Sequence, residues 1–255
     1  MRAETATESR STAQGVVAPV YDISDLSVRK GDPEQGFRLE VARLVIPAGA
    51  RLALAGPSGC GKSSLIDVLA FLAQPLSVAR FLFDPGRGER HDLSRNLGGR
   101  DSSFLAALRS RHIGYVPQVG GLVPSLTVRQ NIDLPRRLLG LSDDGSVEAL
   151  MRPLDLIRHA RKKPSALSVG ERQRCAIARA LAHRPAVVIA DEPTAALDPF
   201  NSDQVMEIFG EMVALCGSTL MVVSHDVDRV LRFGLELVPH RFRRDGDRMV
   251  SVFGG

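Results

Sequence analysis

The sequence predicts an α/β fold with a mainly parallel sheet, an antiparallel β flank and an inserted helical subdomain, and three observations carry that prediction. Short unbroken apolar runs at residues 52–55, 113–116, 186–190 and 220–223 alternate with longer stretches of helical periodicity. Such runs suit strands covered on both faces and joined by helical crossovers. Ahead of them, residues 21–28 and 37–46 read as edge strands joined by a turn at Gly31, Asp32 and Pro33, and these form the flank. Between Gln118 and Leu167 no comparable buried strand recurs. Segments 127–139 and 146–159 instead carry Leu, Ile and Val at helical spacing, which places the helical subdomain at about 119–166.

Composition bounds what such a fold can do. With 255 residues, 44% of them hydrophobic and 24% charged, the chain can bury a large core, and a single domain over 19–255 is expected. Residues 1–18 are rich in Ser, Thr and Ala with both charge signs. They lack the basic start and apolar core of a secretory signal and are expected to form a flexible tail. The longest apolar run, 186–190, is far short of the roughly 20 residues that a membrane-spanning helix needs. Cys60, Cys175 and Cys216 are odd in number and scattered, as suits free thiols in a reducing compartment. A net charge of +4, with no Trp and two Tyr, offers no basic stripe with stacking rings, so no nucleic acid is expected as partner. No repeat with a period of 20–50 residues is present.

Gly56, Pro57, Ser58, Gly59, Cys60, Gly61, Lys62 and Ser63 match G-x-x-x-x-G-K-[ST] between the strand at 51–55 and a helix beginning near Lys62. Glycines let the backbone wrap phosphate oxygens, so that N–H groups and the positive helix end point at the anion. Lys62 would neutralise the β- and γ-phosphates and Ser63 would ligate Mg²⁺, with Ser64 beside it. The core is therefore expected to be a P-loop NTPase, a class that includes kinases, GTPases and many ATPases.

A second helix start follows at Leu167 and Ser168, where Ser168 and Glu171 have capping-box spacing ahead of Ile177, Ala180 and Leu181 on one face. Read alone, this is an ordinary capped helix. In context, residues 167–174 resemble the signature motif of ATP-binding cassette (ABC) ATPases, usually LSGGQ or LSGGE. The other motifs of that family follow in order. Tyr115, Val116, Pro117 and Gln118 resemble its Q-loop, and residues 186–192 its Walker B strand. Ala195 to Asp198 resemble its D-loop, and Ser224, His225 and Asp226 its H-switch. The resemblance covers about 21–232. Residues 122–128 and 131–135 look closest to the lipoprotein-releasing and macrolide-exporter branch.

Asp191 closes a strand apolar enough to be central, which sets a carboxylate at the sheet's carboxyl edge beside the phosphate loop, where Mg²⁺ or its waters would sit. Glu192, one residue on, can polarise a water for attack on the γ-phosphate. The resemblance implies that His225 holds that water and glutamate in register and that Gln118 touches Mg²⁺. It also implies a head-to-tail dimer in which Ser168, Val169, Gly170 and Glu171 of one copy complete the ATP site of the other, with Asp198 as the D-loop residue. An integral membrane permease would be the partner, at the cytoplasmic face of the cell membrane. A single-cassette assembly factor and an ATP-binding regulatory module with little turnover are the alternatives.

Four departures from the family pattern stand out. Val169 occupies a usual glycine, and a β-branched residue resists positive φ and close phosphate approach, so slow turnover is expected. No aromatic lies at 27–31 to stack on adenine, which leaves Phe37 or Tyr21. Phe71 replaces the usual glycine after the first helix. Residues 87–101 read as an enlarged, Gly/Arg-rich surface loop. A C-terminal regulatory domain is not expected.

Overall fold

The computed structural model describes residues 18–30, 37–86, 88–98, 102–118, 121–246 and 248–255. The expected tail and the turn at 31–33 fall outside those residues, the tail but for residue 18.

A five-stranded, wholly parallel sheet holds the centre. Its strands are β3 (Arg51–Ala55), β6 (Ile113–Val116), β7 (Val187–Asp191), β8 (Thr219–Ser224) and the short β9 (Glu236–Leu237), in the order β6-β7-β8-β3-β9. Side chains alternate between faces along each strand. Leu52, Leu54, Val187, Ile189, Met221 and Val223 enter one core, while Ala53, Val188, Ala190, Leu220 and Val222 enter a second. Burial on both faces is why these runs are apolar throughout instead of alternating.

The first core lies under α1 (Lys62–Leu69) and the flank sheet. That sheet contains β1 (Pro19–Lys30), β2 (Phe37–Pro47), β4 (Arg80–Gly86), β5 (Glu89–Asp92), β10 (His240–Asp245) and β11 (Arg248–Phe253), in the order β10-β11-β2-β1-β4-β5. The antiparallel pairing of β1 with β2 is as expected, but neither is an edge strand. The C-terminal hairpin β10–β11 lies parallel against β2, and β4 lies against β1 on the other side. Within the expected surface loop at 87–101, the described residues include regular structure. β5 pairs with β4, and Leu93 and Leu97, both wholly buried, anchor the chain before α2 (Ser102–His112).

Phe71 adopts φ 58°, so this position does use the left-handed conformation that suits glycine. Such a conformation costs a non-glycine residue about 1–2 kcal/mol. The ring offsets that cost by packing at 5.1 Å from Phe83 and 6.2 Å from Phe81 in a site only 4% exposed, where full burial of an aromatic side chain contributes about 1.5–3 kcal/mol.

The second core joins the other sheet face to α3 (Val128–Leu138), α4 (Ser146–Met151), α5 (Val169–Leu181) and α6 (Pro199–Cys216). Thr127 and Gln130 form a capping box on α3, and Ser168 and Glu171 form one on α5. The expected helix over 146–159 stops at Met151, and a single 3₁₀ turn follows at Ile157–His159. Pro153 has no N–H to donate to Ala149, and Asp155 turns out of the helical region to φ 53°, which together account for the early stop. The short α7 (Val227–Arg232) follows β8. No helix of the described residues is long and apolar enough to cross a membrane.

Candidate active site

The phosphate loop runs from the end of β3 into α1. Gly61 caps α1 at φ 91° with no side-chain cap, leaving first-turn N–H groups free for an anion. A Cβ at Gly61 would sit 2.6 Å from the Phe37 ring, so glycine is required by contact as well as by backbone. Lys62 is only 6% exposed; its ammonium donates to the carbonyl oxygens of Gly56 (2.8 Å) and Pro57 (2.9 Å), curled back inside the loop.

Three neighbouring strands deliver the remaining groups at their carboxyl ends. Asp191 closes β7 and accepts a hydrogen bond from the Ser63 hydroxyl; burial first, then the charges of Glu192 and Asp67, raise its carboxyl above the usual range. Glu192 follows at φ 44°, its N–H donating to Val223 O at 2.9 Å. That bond to β8 holds the residue in an otherwise unfavourable conformation. Its Oε2 lies 3.3 Å from His225 Nδ1 and 3.4 Å from Gln118 Nε2, which come from the ends of β8 and β6. Phe37, Ser58, Gly59, Gly61, Lys62, Ser63, Ser64, Gln118, Glu192 and His225 border one open cleft of about 690 Å³.

Ser168, Val169, Gly170, Glu171 and Asp198 do not border that cleft. Ser168 Oγ accepts from Glu171 N (3.2 Å), and Glu171 Oε2 accepts from Ser168 N (2.7 Å). Asp198 caps α6 by accepting from Asn201 N (3.2 Å). Val169 is the first residue of α5 and does not have positive φ, so the expected backbone conflict does not exist. The helix begins directly after its cap Ser168, and Val169 stands 44% exposed. Tyr21 is wholly buried with its hydroxyl donating to Leu69 O at 2.8 Å, which removes it as a stacking ring and leaves Phe37. Contacts of Ser251 and His240 with the phosphate loop lie in a C-terminal segment without a motif, and nothing in the sequence marked them.

The family model for ABC transporter matches residues 39–195. The chain belongs to the ABC transporter family. It is an ATP-binding subunit of that family, and its relatives agree over most of their length. An uncharacterized ABC transporter ATP-binding protein, YbbA of Escherichia coli K12, is 36% identical over 209 residues, which is 81% of this chain and 87% of the relative. The lipoprotein-releasing system ATP-binding protein LolD of Zymomonas mobilis is 33% identical over 216 residues, 82% and 87% of the two chains. Among solved structures, a dimeric, post-hydrolysis form of the ATP-binding cassette MJ0796 bound to ADP and Pi superposes with a TM-score of 0.72 at 29% identity. That superposition covers 86% of this cassette and 93% of the other chain. MJ0796, of Methanocaldococcus jannaschii, is 32% identical over 218 residues, 83% and 87% of the two chains.

Proposed function

We propose that this cassette hydrolyses Mg-ATP and, as a head-to-tail dimer under an integral membrane permease, drives transport from the cytoplasmic face of the membrane. One observation carries the proposal: a carboxylate, an imidazole and a carboxamide meet within 3.4 Å at the mouth of the phosphate loop, while the signature helix lies outside that cleft. The chain thus holds one half of an ATP site at its cleft and the complementary half elsewhere on its surface.

In this scheme the Lys62 ammonium leaves the Gly56 and Pro57 carbonyls for the β- and γ-phosphates. Glu192 orients and deprotonates the attacking water, with His225 and Gln118 fixing the carboxylate. Ser63 and Asp191 offer adjacent hard oxygen donors that fit Mg²⁺. Among the described residues no cluster of three or more His, Cys, Asp or Glu could hold a metal, which suits an ion that takes its other ligands from phosphate and water. Bound Mg²⁺ would neutralise charge on the phosphates. Phe37, which borders the cleft beside Gly61, would stack on adenine. Ser168, Val169, Gly170, Glu171 and Asp198 would act on the nucleotide of the partner copy, with ATP favouring the closed pair.

Affinity purification in mild detergent of the chain expressed with its neighbouring reading frames tests the assembly. A multi-span protein retained with the cassette is expected. Retention of a soluble partner alone would refute the transporter assignment in favour of an assembly factor.

A further inference from the structure

Ser251, on β11, is wholly buried beneath the phosphate loop. Its hydroxyl donates to the carbonyl oxygen of Cys60 at 2.7 Å. Its oxygen also lies 2.8 Å from His240 Nε2 on β10. The single hydroxyl hydrogen is already committed to Cys60, so His240 must carry its proton on Nε2 and donate to Ser251. Burial, then the charge of Lys62, holds the His240 imidazole below the usual histidine range and so favours its neutral form. The ring is seated against Phe253 at 4.5 Å between centroids, with Nδ1 close under Gly56.

The peptide that Ser251 grips is the one that matters for an anion. A trans peptide is planar, with its C=O and N–H pointing in opposite directions. Drawing Cys60 O inward to Ser251 therefore turns the Gly61 N–H outward, toward the cleft that Gly61 borders. Gly61 is free to adopt either orientation, because glycine populates positive and negative φ with similar ease. A flipped peptide would present a carbonyl oxygen to the phosphates in place of a donor.

We propose that Ser251, supported by His240, is a positioning residue for nucleotide, a latch that keeps the Cys60–Gly61 peptide turned so that its N–H faces the phosphates. The latch persists when Lys62 gives up its own contacts inside the loop. The hairpin that closes the fold thereby sets the affinity of the phosphate site. This inference rests on ATP being the ligand of the cleft.

The test uses the full chain, with ATP affinity measured by calorimetry, steady-state turnover, and thermal unfolding without nucleotide. Ser251→Ala is nearly isosteric. Losing one neutral hydrogen bond predicts ATP binding weakened about 2- to 10-fold, a matching rise in KM, and little change in kcat. His240→Phe keeps the ring against Phe253 but removes the donor and is expected to weaken ATP binding in the same direction. His240→Gln restores an N–H and should recover most of the affinity. If Ser251→Ala does not fold, the His240 pair decides alone. Unchanged ATP affinity in Ser251→Ala and His240→Phe, or equal losses in His240→Phe and His240→Gln, would overturn the latch. A wild-type chain that fails to bind ATP would instead overturn the nucleotide assignment itself.

Discussion

Replacing Glu192 with Gln separates chemistry from positioning, because the geometry limits what positioning alone can contribute. Glu192 Oε2 faces two donors, His225 Nδ1 at 3.3 Å and Gln118 Nε2 at 3.4 Å. A carboxamide keeps one oxygen and gains an NH₂ that cannot accept from either. Both donors face the same oxygen, whose place the amide oxygen can take, so the substitution forfeits only the charge assistance of these long bonds, on the order of 1 kcal/mol, or less than about tenfold in rate. Loss of a general base costs about 10²–10⁴-fold, which is about 2.7–5.4 kcal/mol at 1.36 kcal/mol per decade. The two causes do not overlap. Phosphate release by Glu192→Gln should fall at least a hundredfold, while ATP affinity measured on the same preparation stays within about tenfold. Light scattering should show a dimer that accumulates with Mg-ATP and not without it. A fall in turnover smaller than tenfold would refute a catalytic role for Glu192, and equal loss of binding and turnover would make it structural.

Asp191→Asn should stabilise the nucleotide-free protein while abolishing Mg-dependent ATP binding. Because the folded state raises this carboxyl's pKa, its favourable contribution exists at low pH and is lost as pH rises through the folded value. The neutral amide removes that loss, so a lower melting temperature for the variant at pH 7 would count against the assignment. Phe71→Gly relieves about 1–2 kcal/mol of backbone strain but removes a buried ring worth about 3–5 kcal/mol. Denaturant unfolding should therefore show a net loss of about 1–4 kcal/mol, and a more stable variant would show the ring contributes little. Val169→Gly should leave ATP affinity unchanged and raise turnover by removing an exposed branched side chain from the surface proposed to face a partner's nucleotide. Unchanged turnover would mean that the valine is accommodated in the closed pair.

The motifs were legible because each sits where a strand ends or a helix begins, and those boundaries follow from local pattern. Residues 113–116 were placed without error, and the capped start of α5 was read from Ser168 and Glu171 alone. Strand order was not legible in the same way. β2 alternates in burial over much of its length as an edge strand would, yet strands distant in sequence, β4 and β11, lie on either side of the β1–β2 pair. The helix expected over 146–159 failed because the apolar spacing continues past Pro153 while the backbone cannot. Val169 was judged by the glycine it replaces, and only the position of the helix start removed the expected strain. Ser251 carries no local signal at all, because its role depends on a carbonyl 191 residues away in sequence.

The division of β7 between two cores has a consequence for how the Asp191 carboxylate is held in place. Val187 and Ile189 belong to one core, and Val188 and Ala190 to the other, so the strand has a parity that its hydrophobic side chains enforce. A one-residue slip would exchange every side chain between cores and carry Asp191 away from Ser63. Placement of that carboxylate is therefore controlled by phase along the strand more than by any single contact at the site. Inserting one residue within 187–190 should be far more damaging to the nucleotide site than any single apolar substitution there, although it leaves every named site residue intact.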